Sequence, residues 1–417
     1  MKVVKVMRLM CFMVLLLIMP CLAQAAFSSG STGADGAFEP TANIAVQIPD
    51  SGVFNYTTVN ISTGVTVTYK KNSTNTPVTV LATGDVTVNG TISVNGISAT
   101  VTAPGEGGPG GFSGGVGGYV NSSGFRGQGL GGGLGSMTGC GSPPGAGGGS
   151  FASQGGQGYN SCNMGAAGGP TYGNDTFMPL VGGSGGGGGT GVSNCKGGAG
   201  GGGGGAILIA SSSVITTNGA ITAYGGNGTG VNYNIYHSGG GGGSGGAIRL
   251  IANVITGEGT IAATGGASVG LPTGYTSTGG SGGNGRIRLE AWQINRSANS
   301  SPSYSPYLYP VAVNPDAVPS ITITQINDVM VASSPAGVFK SPDVTLPYNA
   351  TGPVNVTVAA LNIPAGKTVT VKALPEVGNS VVTGTGTLTG TSDSSSVQIQ
   401  LNTAKGMAYL LSASVNY

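Results

Sequence analysis

The sequence predicts an all-β protein, and three observations carry that reading. Where apolar residues are dense they alternate with polar ones, β-branched residues and threonine dominate those runs, and one such run recurs in copies about 40 residues apart. No stretch sustains the three-and-four apolar spacing of a helix. Glycine supplies 84 of the 417 residues, and it gathers between the copies rather than within them.

The chain opens with Lys2, Lys5 and Arg8, an apolar run from Cys11 to Cys21, and Ala23-Gln24-Ala25, the pattern of a signal peptide over 1–25. That run is short of the roughly 20 residues a membrane-spanning helix needs. No later segment is apolar enough to span a membrane as a helix, so a secreted or surface location is expected. Residues 26–104 are expected to form a strand-rich cap and a first coil, with AVQIPDSGVFNYTTVNISTGVTVTYKK (45–71) capping one end.

The copies align as PVTVLATGDVTVNGTISVNG (77–96), AILIASSSVITTNGAITAYGG (206–226) and AIRLIANVITGEGTIAATGG (247–266), with a partial copy RIRLEAWQIN (286–295). Each has two or three short strands and a turn of the type Asn-Gly or Glu-Gly, too little to bury its own apolar face. Stacked copies bury each other, which predicts a parallel β-helix or related β-solenoid, continued through 206–296 with glycine-rich loops.

Between copies lie a long glycine-rich insertion, 105–205, and shorter tracts at 225–246 and 265–285. Ordering the backbone costs about 1–2 kcal/mol per residue, and glycine has no side chain to offset it. Two states satisfy this. The tracts are flexible excursions, or they are polyglycine II segments packed backbone against backbone where only glycine allows close approach. Residues 297–319 are proline-rich and read as a stiff linker. From 320 to 417, about seven short alternating runs, including SITITQIND, DVTLPYN, VNVTVAALN and AYLLSASVNY, predict an immunoglobulin-like β-sandwich.

Charged residues are only 7% of the chain and the net charge is +2, which provides no basic field for nucleic acid. Past the leader, Cys140, Cys162 and Cys195 are disulfide candidates, one pair and one free thiol. There is no Cys-x-x-Cys, and the single histidine, His237, has no cysteine or acidic neighbour, so no metal or other cofactor is expected. Matches to Gly-x-Gly-x-x-Gly follow from composition, and none opens a helix. The carboxylates of the repeat region, Asp85, Glu106, Asp175, Glu258 and Glu290, are scattered, whereas glycoside chemistry needs a close pair.

Residues read as possible ligand contacts are few. Tyr233, Tyr236 and His237 sit together in VNYNIYHSGG, where exposed rings suit sugar stacking. Arg249 and Arg288 fall on the outward positions of successive copies, with Arg286 nearby, and read as a polar outer face. Trp292, the single tryptophan, is expected to plug the end of the coils.

The run FNYTTVNISTGVTVTYKKNSTNTPVTVLATGDVTVNGTISVNG, the GGGGGSGGAIRLIA type of copy and the tail NIPAGKTVTVKALP resemble a group of secreted, glycine-rich β-helix or adhesin-like surface proteins of environmental Gram-negative bacteria. The resemblance covers nearly the whole chain past residue 25 and implies an extracellular or outer-membrane-associated β-rich protein. It assigns no activity and no site residues. In composition alone, the tracts also resemble packed polyglycine helices of some phage adhesins and of a receptor-kinase ectodomain.

The expected function is therefore non-enzymatic: a secreted or cell-surface structural, adhesin-like protein whose partners are extracellular glycans or other surface and matrix proteins. The alternative is a carbohydrate-active enzyme, a polysaccharide lyase or glycosidase on a β-helix. A weaker one is ice or mineral binding by threonine arrays, which requires a flat threonine ladder.

Overall fold

The computed structural model describes residues 26–417 except 102, 138–142, 161–164, 192–195, 231–237, 269–276, 312, 314–318, 333–334, 336, 338, 340–341, 349–351, 379 and 416–417. Among the described residues the regular structure is β throughout. The first part holds β1 (Ile44–Gln47), β2 (Val53–Tyr56), β3 (Val59–Ile61), β4 (Thr66–Lys70), β5 (Val78–Ala82), β6 (Val86–Val88) and β7 (Thr91–Ser93). After the long glycine-rich insertion come β8 (Ala206–Thr217), β9 (Ala220–Thr222), β10 (Ala247–Thr256), β11 (Thr260–Ala262), β12 (Arg286–Asn295) and β13 (Ser305–Tyr307).

These strands build two parallel sheets. One runs β1-β4-β7-β9-β11; the other runs β13-β12-β10-β8-β5-β2, with β6 also beside β8 and β3 beside β6. The copies seen in the sequence stack residue on residue. Val78, Ile207, Ile248 and Ile287 form one row, Val80, Ile209, Leu250 and Leu289 the next inward row. Ile92, Ile221 and Ile261 answer them from the other sheet. All are at most 2% exposed and belong to one core. Burial of each such side chain contributes about 1.5–3 kcal/mol.

The outer face of the larger sheet is covered as well. Phe27 lies over Leu81, Leu208, Ala210 and Ile251, while Phe151 and Phe177 lie over Ala206 and Ala247. A sheet buried on both faces needs near-continuous apolar strands. This is why AILIA at the start of β8 breaks the alternation. At the other end of the stack, β13 pairs with β12 and Ser301 bridges Ala262, so the segment read as the start of a linker closes the last layer.

The glycine tracts are ordered against one another with a period of three. Gly197, Gly200 and Gly203 donate their amides to the carbonyls of Gly118, Gly115 and Phe112; Gly198, Gly201 and Gly204 donate to Ser238, Gly241 and Ser244; Gly202 and Gly205 donate to Ile97 and Val94. The segment thus has three faces, each bonded to its own neighbour. In return its carbonyls accept from Gly183, Gly186 and Gly189 on another tract. The approach is so close that a Cβ on Gly200 would fall on the carbonyl of Gly186. The described residues of the tracts thus pack backbone against backbone and form a second interior.

The C-terminal part holds β14 (Ser320–Ile326), β15 (Val329–Met330), β16 (Val354–Leu361), β17 (Thr368–Pro375), β18 (Val382–Thr387), β19 (Thr389–Gly390), β20 (Ser395–Leu401) and β21 (Tyr409–Val415). Two antiparallel sheets, β15-β14-β16-β20-β19 and β18-β17-β21, enclose a core that includes Val356, Val358, Val369, Val371, Ile399 and Leu401. The run DVTLPYN, expected as a strand, is irregular over its described residues. Pro342 precedes it and Pro347 lies within it, and proline cannot donate to a ladder.

Candidate functional site

Strand alternation and stacking bring one charged group together on the outer face of the larger sheet. In the register of β10 and β12, Arg249 partners Arg288, and Glu290 lies two residues further on the same face as Arg288. Glu290 is fully buried and central. Arg249 grips it with both ends of its fork, Nε to Oε1 at 2.7 Å and Nη2 to Oε2 at 3.1 Å, and Arg288 Nε donates to Oε1 at 2.7 Å. The amide of Val311 donates to Oε2 at 3.3 Å.

This corrects the polar outer face expected for Arg249 and Arg288. Arg249 is only 7% exposed, because the N-terminal residues and the 172–181 segment cover the sheet there. Paired Arg–carboxylate bonding is what makes such burial tolerable. Nor is Glu290 a lone carboxylate. The alternation in RIRLE already places it beside Arg288, and that signal was available in the sequence.

Arg288 also reaches outward, donating Nη1 to the Asp175 carbonyl at 2.9 Å, with its guanidinium 4.8 Å from the Tyr307 ring centre. Arg286 pairs with the Asp175 carboxylate at 2.5 Å and lies 5.8 Å from the Phe151 ring centre. Trp292 stands on the last strand, its ring edge-on to Tyr309 at 5.4 Å, which in turn meets Tyr307. Glu258, read as a solvated turn residue, accepts the amides of Ser297 and Ala298. The Ser297 amide above all holds its carboxyl below the ordinary range, against a smaller opposing effect of burial.

The second candidate place is the far end of the glycine tracts. Near the sheets, the turns between tracts carry aromatic residues that are buried, Phe151 and Phe177 at 2% and 5% exposure. At the far end, the chain turns at Tyr119–Ser122, and Tyr119 is 72% exposed, Met137 and Tyr159 50% each. Beneath them a knot of buried hydroxyls ties tracts together, Ser136 Oγ to Thr190 Oγ1 at 2.7 Å and to Ser238 Oγ at 2.9 Å. Large apolar groups held in water on a rigid base mark contact surfaces.

Tyr233, Tyr236 and His237 fall outside the described residues, as do Cys140, Cys162 and Cys195. Among the described residues no group of three or more His, Cys, Asp or Glu could hold a metal ion, and no helix is long and apolar enough to cross a membrane. The threonine ladders are short: on the larger sheet Thr87, Thr216 and Thr256 stand in register between Asn60 and Asn295, and on the other sheet Thr66 and Thr91 are partners but the next position is Ala220. Comparison with family models, curated proteins and solved structures finds no match to this chain.

Proposed function

We propose that this is a non-enzymatic, secreted or cell-surface protein of structural, adhesin-like character. In this reading the parallel sheets are a β-solenoid, the glycine tracts are polyglycine II helices that extend from it as a stiff arm, and the C-terminal sheets are an immunoglobulin-like docking domain. The observation that carries the proposal is the asymmetry of the arm. The aromatic residues Phe151 and Phe177 near the sheets are buried, whereas Tyr119 and Tyr159 at the far turns stand in solvent. A backbone lattice is costly to order, and its use is to hold those turns rigidly away from the body.

The far turns present tyrosine with neighbouring asparagine and serine and little charge, a composition suited to neutral glycans or protein surfaces. The test is retention of the mature chain on purified extracellular polysaccharides and outer-membrane fractions. Replacing Tyr119 and Tyr159 together by Ser is expected to lower retention by about tenfold, the weight of one or two exposed anchor residues, with the circular dichroism spectrum unchanged. Equal retention by the double variant would remove the far turns from the function. Release of new reducing ends or unsaturated products from those polysaccharides would favour the enzyme instead.

A further inference from the structure

Arg286 and Arg288 form a second, separate surface at the closed end of the strand stack. Three guanidinium groups, of Arg249, Arg286 and Arg288, face two carboxylates, of Glu290 and Asp175. Glu290 is fully buried and belongs to the sheet. Asp175 is different: its side chain is 76% exposed, and it reaches Arg286 from an irregular segment 111 residues away in the chain.

That segment is anchored by packing on both sides of Asp175, and at Asp175 itself only by the two arginines: the carboxylate pairs with Arg286, and the backbone carbonyl accepts from Arg288 Nη1 at 2.9 Å. Tyr172 packs on the Phe151 ring, at 4.8 Å between centres, and Phe177 is 5% exposed in the same cluster. Between these anchors Asn174, Asp175 and Thr176 are exposed, and the side-chain bonds of Asn174 and Thr176 are local ones, Asn174 Nδ2 to the Met178 carbonyl and Thr176 Oγ1 to Asn174 Oδ1. Apart from its bonds to Arg286 and Arg288 the tip makes only local contacts, so a ligand that competes for both guanidinium groups releases it while Tyr172 and Phe177 stay seated.

Beside the arginines lies an exposed aromatic pair, with ring planes 67° apart, so each ring offers its own face rather than one flat shelf. Tyr307 is 41% exposed and Tyr309 59%, their rings 6.0 Å apart between centres, and Leu308 between them is 60% exposed. A planar carboxylate matches the guanidinium fork, and a pyranose ring presents an apolar face to an exposed aromatic ring. The two features meet at Arg288, whose guanidinium lies over Tyr307.

We propose that this surface binds a uronate-bearing polysaccharide, with the Asp175 carboxylate occupying the place of the sugar carboxylate until the ligand displaces it. The inference is independent of the far turns: it needs neither Tyr119 nor Tyr159. An acidic peptide would satisfy the arginines but make no use of the exposed ring of Tyr309, which favours the glycan.

The experiment uses the full mature chain and a fluorescently labelled oligogalacturonate at low salt, read by anisotropy. Asp175→Asn is expected to bind about tenfold more tightly than the wild type, since it removes one charge-assisted competitor. The Arg286→Gln, Arg288→Gln double variant is expected to lose binding, and Tyr309→Ser to weaken it with the arginines intact. The last variant keeps the question open to measurement should the double variant fail to fold. Three results would each overturn the proposal: no gain in Asp175→Asn, equal binding of the methyl-esterified oligomer, or tighter binding of polyglutamate than of the uronate.

Discussion

The molecule has two interiors that obey different rules. In the strand stack, Ile207, Ile248 and Ile287 fill space with side chains, and the packing is specified by which residues alternate inward. In the glycine array side chains are few, such as the hydroxyls of Ser136, Thr190 and Ser238; amides such as those of Gly197, Gly200 and Gly203 find carbonyls every third residue, and the fit depends on the absence of Cβ. One interior is selected by shape, the other by emptiness. Substitution should therefore be graded in the first and nearly all-or-none in the second.

The sharpest way to break that comparison is Gly200→Val. Its side chain has only the backbone of Gly186 to displace, so the lattice itself must part. Hydrogen exchange should show array amides such as Gly201 and Gly204 losing protection together, while amides of β8 and β10 keep theirs; local loss confined to Gly200 would refute the cooperative lattice. Next in size is Glu290→Ala, which leaves Arg249 buried without its partner and should cost about 3–5 kcal/mol in denaturant melts. Ile248→Val removes one methylene from a row that can partly relax, for an expected loss of about 0.5–1.5 kcal/mol.

The smallest effect is set by pH. The Glu258 carboxyl is depressed in the folded state, chiefly by the Ser297 amide, so its contribution is complete above the ordinary carboxylate value near 4.3. It is lost as pH falls through the lower folded value. Exchange at the Ser297 and Ala298 amides should rise in that acid window in the wild type and be pH-insensitive, beyond the intrinsic rate, in Glu258→Gln. Identical profiles would show that the contact carries no linkage.

The strand stack was legible because its physics leaves a trace in residue types: the inward rows recur at the same place in each copy. DVTLPYN shows the limit of that trace, since two prolines outweighed its alternation. Order in the array left no such trace. A glycine that packs against a carbonyl and one that drifts in solvent are the same letter, and the period of three lies in the hydrogen bonds. Of the charged face, the pairing of Arg288 with Glu290 was visible in RIRLE, and Arg249 followed from the copy spacing. Asp175 was not, because its contact passes through the whole array before the chain meets Arg286.

Under the proposed polyglycine II reading, the three-residue period of the tract hydrogen bonds also makes the array a ruler. A segment with three residues per turn rises about 3.1 Å per residue, so one added triplet lengthens a tract by about 9 Å and returns every amide to the same rotational setting. Insertions of one or two residues would turn the donors of Gly197, Gly200 and Gly203 away from their acceptors. Because β7 pairs directly with β9 across the long insertion, as Ile92 does with Ile221, the register of that sheet does not depend on the insertion's length. In that reading tract length can change in triplet steps while the strand stack stays unchanged.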